Sequence, residues 1–485
     1  MKEAKVSIKT GFFWLGIASS VSQIVDVTSS IVVLWFLSSH EMGVATLAWS
    51  IAVILESFNG LGIGTALVQS HDLKENQLSS IFWFSSFVSV FLFALISIVS
   101  PFIASYYNSP ELTFLVILSG SKLLFVGIAL VPLQLLNKKL MFREVSIVLL
   151  SANLLSALIK ISFAMMGYGA FALVLSHMSY GVFVLLGAFL CYPYKPKMHF
   201  NFSEIRCLVI FGVKVTASGA IYHFYRNVDY LIVGKFFGKE ALGIYRVAFD
   251  IAMTPALAIL NVVNRATFPV LAKLKSDPKS LAETFLWMQE KIALFTLPIT
   301  VFLIFVSPDI VQLVGQQKWI AAAPVIQVLS VAAFFRCIAQ SFPQLFHACN
   351  RPELAIFDSG ISLALLVFSF SVSIYFFSQS LGVVSIAFAW VVSYPLLIYV
   401  LFSFTRKIIP ISFNGYIASF NHSRNILVIS SLVSLIIYLL RYFILTSSWS
   451  HILAQSIFFS LTLMVYIRMN FDGSIKTVMG SENVR

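Results

Sequence analysis

The sequence predicts an all-α, polytopic membrane protein of about fourteen transmembrane helices, built as two pseudo-symmetric six-helix bundles followed by two further helices. Three observations carry that expectation. The composition is 59% hydrophobic with only 11% charged residues, against roughly 45–50% and about 25% in a soluble domain. Apolar stretches of about 20 residues or more divide the chain, the length a helix needs to cross ~30 Å of hydrocarbon, whereas a transmembrane barrel alternates over segments of about 10. Finally, two blocks of sequence recur at nearly constant spacing.

In order, the expected spans are 10–37, 41–66, 80–106, 112–136, 145–166, 168–191, 207–236, 240–266, 285–306, 320–347, 353–377, 380–404, 424–445 and 450–467. Lysines precede the first run as they do in a signal peptide. That run continues past Asp26 to Leu37 without a small-residue cleavage site, so it reads as a retained span. Lys2, Lys5 and Lys9 precede span 1. The even-numbered connections carry Lys74; Lys138, Lys139 and Arg143; Lys195, Lys197 and Arg206; Lys273, Lys275 and Lys279; Arg351; and Arg406, Lys407 and Arg424. Arg468, Lys476 and Arg485 follow span 14, while the odd-numbered connections hold little beyond Lys235, Lys239 and Lys318. The positive-inside rule then puts both termini in the cytoplasm. Positives spread along one membrane face also exclude a nucleic-acid reading of the net charge of +12.

The repeat is visible in "IVVLWFLSSHEMGVATLAW", 31–49, and "LIVGKFFGKEALGIYRVAF", 231–249. An offset of 200 pairs Val33 with Val233, Phe36 with Phe236, Gly43 with Gly243 and Ala48 with Ala248. Later, "MGYGAFALVLSHMSY" and "QSLGVVSIAFAWVVSY" align at an offset of 213, pairing Gly169 with Gly382 and, upstream, Asn137 with Asn350. Six spans is an even number, so both copies enter the membrane from the same side, related by an axis along its normal. The expected organisation is an N-terminal bundle over 1–191, a cytoplasmic linker over 192–206, a second bundle over 207–405, and two additional helices with a cytoplasmic tail over 406–485.

No Walker loop, G-x-S-x-G, H-E-x-x-H or dinucleotide-binding glycine pattern occurs in a strand-helix context. The four cysteines lack metal-ligand spacing and read as packing residues. No catalytic residue, metal site or cofactor is therefore expected. "GLGIG", 60–64, closes span 2 and reads as a site of close helix contact.

The informative residues are charges inside the spans. A basic side chain near the bilayer centre costs about 2.5–3.5 kcal/mol on insertion scales, so it must reach water, a counter-charge or an interface. Lys122, Arg265, Lys291 and Arg441 are read as snorkelling from span ends; Lys160 is a further in-span base. Lys214, Arg226, Arg246 and Arg336 lie deeper and are the substrate-binding candidates of a hydrated cationic cavity. Internal pairing is the competing reading for two of them, Arg226 with Asp229 at i, i+3 and Arg246 with Asp250 at i, i+4. Lys214 and Arg336 have no acid within four positions. Asp26, opposite Arg226 at the offset of 200, joins Glu56, Asp229, Asp250 and Asp358 as coupling or charge-partner candidates. His177, His223 and His347 are expected to pack or hydrogen-bond, and "YHFYR" sets Tyr222, Phe224 and Tyr225 beside Arg226, for sugar stacking or core filling. In-span prolines such as Pro132, Pro255, Pro298, Pro324, Pro343 and Pro395 are hinge or kink candidates.

"VDYLIVGKFFGKEALGIYRVAFDIAMTP", 228–255, and "GQQKWIAAAPVIQVLSV", 315–331, resemble the Wzx-type polysaccharide flippases of the multidrug/oligosaccharidyl-lipid/polysaccharide exporter superfamily. "LMFREVSIVLL" with "GYGAFALV" resembles their colanic-acid-exporter-like branch. The resemblance implies a V-shaped pair of bundles that moves an undecaprenyl-pyrophosphate-linked glycan across the bacterial inner membrane. It further implies surrounding membrane lipids, polysaccharide polymerase machinery as a candidate partner, and a proton or sodium coupling ion. A lipid II flippase and a drug or cation antiporter of the same superfamily stand as alternatives. A glycosyltransferase or polymerase would need a long external loop, and the longest one drawn, 307–319, offers only Asp309 and Lys318 as ionisable residues.

Overall fold

The computed structural model describes residues 2–70, 73–441, 448–461 and 464, and no strand occurs among them. The helices are α1 (Lys2–Leu34), α2 (Ser39–Glu56), α3 (Ile63–Gln69), α4 (Glu75–Tyr106), α5 (Glu111–Gly120), α6 (Lys122–Lys138), α7 (Phe142–Met165), α8 (Ala170–Cys191) and α9 (Phe202–Phe236). They continue as α10 (Gly238–Lys273), α11 (Pro278–Gly315), α12 (Ala322–Gln340), α13 (Phe342–Ala348), α14 (Pro352–Leu381), α15 (Val384–Thr405), α16 (Phe413–Ala418) and α17 (Asn421–Arg441). Residues 448–461 form a last helix, α18.

Twelve helical segments among the described residues are long and apolar enough to cross a membrane, against the fourteen expected. The seventh expected span, 207–236, is helical in α9, several of whose side chains lie outside the described residues. The fourteenth, 450–467, is described as helix to 461, and the tail residues Arg468, Lys476 and Arg485 lie outside the described residues. Two spans are assembled from broken helices. Gly60, Leu61 and Gly62 adopt positive φ and separate α2 from α3, and the α5–α6 span breaks at Ser121, immediately before Lys122. A third break, at Ser341, precedes α13, whose first turn holds Pro343.

By backbone proximity the chain forms two units, Met1–Gly243 and Ile244–Arg485. The division falls later than the expected linker because α9 packs on α2, α3 and α4. Within the first unit, α7 packs on α1 and α8, and α6 on α4 and α8. Ile63, Phe82, Val131 and Ile205 form part of one apolar core there, and Ala129, Val148, Ala152 and Val184 part of another. In the second unit, α12 lies between α11 and α15, α14 packs on α15, and α17 on α11.

Two backbone crossings lock α9 and the start of α10 to the first unit. A Cβ on Gly43 would collide with the Lys239 carbonyl oxygen, and one on Gly243 with the Ser39 carbonyl oxygen. The contact is reciprocal between glycines related by the repeat offset of 200. A Cβ on Gly62 would likewise strike the Gly212 carbonyl. Lysines reinforce one end: Lys235 Nζ donates to Tyr106 O at 2.7 Å and Lys239 Nζ to Asn108 O at 3.0 Å. Tyr107 Oη donates to Leu231 O at 3.2 Å. Burial, aided by Tyr106, pushes the Tyr107 phenol up to about 12, so it remains a donor.

In the second unit, α11 runs on through residues expected to form an external loop. Asp309 lies inside this helix, and its Oδ2 is 2.8 Å from His451 Nδ1 of α18, both side chains fully buried. Gln455 Nε2 donates to Ser434 O at 3.0 Å, a second polar tie from α18.

Replacing Gly43 or Gly243 by leucine is expected to cost about 3 kcal/mol or more, the upper range for overpacking a close contact. Thermal unfolding of the detergent-solubilised protein measures it, and unchanged midpoints in both variants would contradict the crossing. Asp277 caps α11, accepting from Ser280 Oγ at 2.5 Å and from the amides of Lys279 and Ser280 at 3.1 and 3.4 Å. The Ser280 hydroxyl and amide bonds hold its carboxyl below the usual range. Its contribution is therefore present above the ordinary pKa of about 3.9 and lost as pH falls through the depressed value. Asp277→Asn should flatten the unfolding-midpoint profile across that acidic range.

Candidate functional site

Glu56 stands at the end of α2, against the left-handed break, and Lys122 opens α6 at the second break. Lys122 Nζ donates to Glu56 Oε2 at 3.1 Å, and His177 Nε2 of α8 lies 2.8 Å from Glu56 Oε1. His177 Nε2 is also 3.5 Å from Lys122 Nζ. A nitrogen that donates to Glu56 cannot also accept from Lys122, so the carboxylate is the hub of the trio. All three side chains are mostly buried. Trp49 meets His177 edge-on at 6.3 Å between ring centroids, and Lys122 Nζ sits 5.5 Å from the Tyr180 ring centroid.

The network continues outward on both sides. Tyr180 is within electrostatic reach of Asp26 and Glu56, and His223 of α9 within reach of Arg226 and Glu56. Asn153 Nδ2 donates to Asp26 Oδ1 at 3.0 Å, and Lys160 Nζ to Ser30 Oγ at 3.4 Å. Asn59, inside the break after α2, donates to Leu123 O at 3.1 Å and accepts from Ser89 Oγ at 2.6 Å. The helix breaks are thus tied to the charged trio by their own hydrogen bonds.

The second unit carries a counterpart. At the offset of 200 Trp49 corresponds to Phe249, and at 213 His177 corresponds to Trp390; Arg336 falls one position beyond the equivalent of Lys122. Arg336 is 2% exposed and lies over the rings of Trp390 and Phe249, at 5.4 and 5.6 Å to the centroids. Phe249 and Trp390 touch at 6.3 Å, the same centroid distance as Trp49 and His177. Trp390 Nε1 donates to Tyr245 Oη at 2.7 Å and its ring stacks on Tyr394. Ala256 occupies the position equivalent to Glu56. Each unit therefore places a base beside an aromatic or imidazole pair, but only the first unit has a carboxylate at the repeat-equivalent position.

The four cationic candidates occupy different settings. Lys214 lies on α9 with its side chain outside the described residues, and Arg226 is exposed on the same helix. Arg246 Nε donates to Asp250 Oδ2 at 2.8 Å, the i, i+4 pair expected. Arg336 is enclosed by rings. Among the acids, Asp229 is fully buried, Asp26 is exposed, and half-buried Asp358 accepts from Ser362 Oγ at 3.3 Å. Tyr225 is buried and Phe224 exposed.

Two readings from sequence are corrected. Lys122 does not snorkel: it lies midway along its span, too far from either end, and pairs with Glu56. Lys291 is buried within α11, 3.9 Å from Glu290 and over the Trp287 ring, so it too stays inside. Arg265 is exposed, in keeping with the expectation. The Glu56–Lys122–His177 trio and the Asp309–His451 pair were not anticipated as pairs. No group of His, Cys, Asp and Glu suited to a metal ion occurs among the described residues.

Broken helices around buried charges, in a chain of helices long and apolar enough to cross a membrane, define a polytopic helical membrane protein. Residues 32–324 match the family described as "Polysaccharide biosynthesis protein", and the chain belongs to that family. It is 31% identical over 315 residues to the teichuronic acid biosynthesis protein TuaB of Bacillus subtilis (strain 168), covering 62% of this chain and 63% of that relative. The match thus spans just under two thirds of the Bacillus protein's length. It is 22% identical over 353 residues to the lipopolysaccharide biosynthesis protein WzxC of Escherichia coli (strain K12), covering 71% of each. The fold is shared with the lipid II flippase MurJ in an inward closed conformation, at a TM-score of 0.75 and 16% identity, over 95% of this chain and 99% of that one. It is shared also with an inward-facing multidrug resistance MATE transporter of the MOP superfamily, at 0.64 and 15%, over 82% and 97%. The fold is therefore one shared with membrane transporters of known structure.

Lys122→Met is expected to destabilise the protein by ~3 kcal/mol by stranding Glu56, and the double variant Glu56→Gln/Lys122→Met to recover at least half of that. Thermal unfolding of the solubilised variants tests this coupling; strictly additive losses would mean the pair does not act as one.

Proposed function

We propose that the protein is a flippase that moves a polyprenyl-pyrophosphate-linked oligosaccharide across the bacterial inner membrane for surface polysaccharide synthesis. The observation that carries this reading is a set of bases within the helices, exposed Arg226 on α9 among them, in a polysaccharide-biosynthesis family member that shares its fold with a lipid II flippase. A diphosphate is the chemical complement of such bases, and the polyprenyl tail stays in lipid throughout. Both termini lie in the cytoplasm, following the lysine-rich connections. The six-plus-six division, with bundles 1–191 and 207–405, supplies the two halves whose rocking alternates access.

Arg226 is the foremost contact for the diphosphate, being exposed on α9 within reach of the Glu56 network through His223. Lys214 and Arg246 are secondary contacts, and Arg336 holds the positive field of the second half from inside its aromatic enclosure. Coupling falls to the acids Asp26, Glu56, Asp229, Asp250 and Asp358. Among these, Asp358 has no cationic partner among the described residues and is the best suited to take up a proton.

Arg226→Ala should lower transport about tenfold, the loss of one charge-assisted contact of ~1.5 kcal/mol, with membrane insertion unchanged. Arg336→Ala should lower both transport and stability. The assay quantifies lipid-linked oligosaccharide on each face of spheroplast membranes from a deletion strain, using an impermeant glycan-modifying enzyme. Cytoplasmic-face accumulation reversed by the intact gene is the expected result. Carrier-linked units that reach the outer face normally without the gene would reject flipping of that substrate.

A further inference from the structure

Residues 192–201, joining α8 to α9, are strapped to the first turns of α4. Lys197 N donates to Ser79 Oγ at 3.0 Å, Asn201 N to Ser80 Oγ at 3.1 Å, and Trp83 Nε1 to Lys197 O at 2.9 Å. Under this strap lies a cavity of about 320 Å³ lined by Tyr192, Tyr194, Lys195, Lys197, Leu78 and Leu135, with Glu75 at one side.

We propose that this cavity binds the phosphate headgroup of an anionic phospholipid from the membrane leaflet on the lysine-rich side. Charge is the first argument. Glu75 Oε2 engages Lys197 Nζ at 2.6 Å, whereas Lys195 has no ion pair among the described residues. Lys139 Nζ lies 4.7 Å from the centroid of the Tyr192 ring that forms one wall. Two lining ammonium groups, Lys195 and Lys197, against the one lining carboxylate, Glu75, leave the cavity net positive, the condition for a phosphate ester, and Lys139 adds to it from the Tyr192 wall.

Hydrogen bonding is the second argument. The Tyr194 hydroxyl is buried without a hydrogen-bond partner among the described residues. Its neighbour Ser79 Oγ already donates to Glu75 O at 2.9 Å and accepts from Lys197 N. Burial raises the Tyr194 pKa, Ser79 beside it lowers it and the Glu75 charge adds to the rise, so the phenol is a neutral donor at the cavity wall.

The third argument selects a lipid over a soluble ester. Leu78 and Leu135 lie at the ends of transmembrane helices, where tyrosines mark the membrane interface and basic pockets between helix ends hold anionic headgroups. A headgroup would sit among the lysines and tyrosines while its acyl chains pass the two leucines. Bound there, it would fasten the strap that leads into α9, which carries Arg226.

The test uses the full chain in dodecyl maltoside and follows thermal stabilisation on titration with phosphatidylglycerol, phosphatidylcholine or inorganic phosphate. Phosphatidylglycerol alone should stabilise the wild type. Each lysine removed should weaken the apparent affinity roughly fivefold, so Lys139→Gln/Lys195→Gln weakens it roughly thirtyfold, while Lys407→Gln, elsewhere on the same face, leaves it unchanged. Equal titrations for wild type and double variant, or equal stabilisation by phosphatidylcholine, would overturn the site. Inorganic phosphate reproducing the whole effect would overturn the lipid source. Should the double variant not fold, Lys195→Gln and Tyr194→Phe singly must each weaken the phosphatidylglycerol titration, or the proposal fails.

Discussion

A lysine halfway along an apolar helix has to find a partner inside the protein, because neither end of the helix is within reach of its side chain. Lys122 finds Glu56, and much of the first unit is arranged to let it. Both residues sit at helix breaks, where the interrupted ladder frees backbone groups that a lipid-facing helix could not leave open. Asn59 takes up part of that demand by bonding Leu123 O across the two breaks. The break therefore serves the pair and the pair fixes the break, which is why α2, α6 and α8 meet at one depth. Breaking such a buried pair costs more than the pair itself contributes, so its main effect is to specify one arrangement of these helices.

The second unit meets the same problem with different chemistry. Where the first has His177 and Trp49, it has Trp390 and Phe249, and where the first has Glu56 it has Ala256. A guanidinium is planar and weakly hydrated, so it tolerates aromatic faces that an ammonium would use less well. Arginine beside tryptophan and lysine beside glutamate and histidine are thus alternative ways of keeping a base at the same point of the repeat. The two copies thus diverge from a common pattern at this point of the repeat.

The sequence made the helices legible because crossing hydrocarbon imposes a length and a composition that few other folds share. Most expected limits fall within a few residues of the helices observed, and the Arg246–Asp250 pair followed from spacing within one helix. The pairing of Lys122 with Glu56 spans 66 residues and that of Asp309 with His451 spans 142, and no spacing rule reaches across separate helices. One signal was nevertheless present. At a rise of 1.5 Å per residue, Lys122 stands ~15 Å into a span starting near residue 112, which is the bilayer centre. Depth alone argued for an internal partner. Asp309 was harder, because a polar residue near the end of an apolar run reads equally well as loop or as helix until its histidine is in place.

The long helix α9 carries this reasoning from stability toward mechanism. It carries Lys214, Arg226 and Asp229 along its length, and it is held by backbone contacts that admit no side chain, Gly212 against Gly62 and the adjoining Gly243 against Gly43. Lys235 and Lys239 fasten the same end to the turn after α4 through carbonyl oxygens. These ties do not depend on the charges between them. A helix fixed in this way can present His223 and Arg226 toward the Glu56 network without relying on a substrate to hold it in place. Charged side chains borne on such a helix stand on a backbone whose position is already set by those contacts. The glycine crossings, which contain no functional group, are in this sense what makes the charged face of α9 usable.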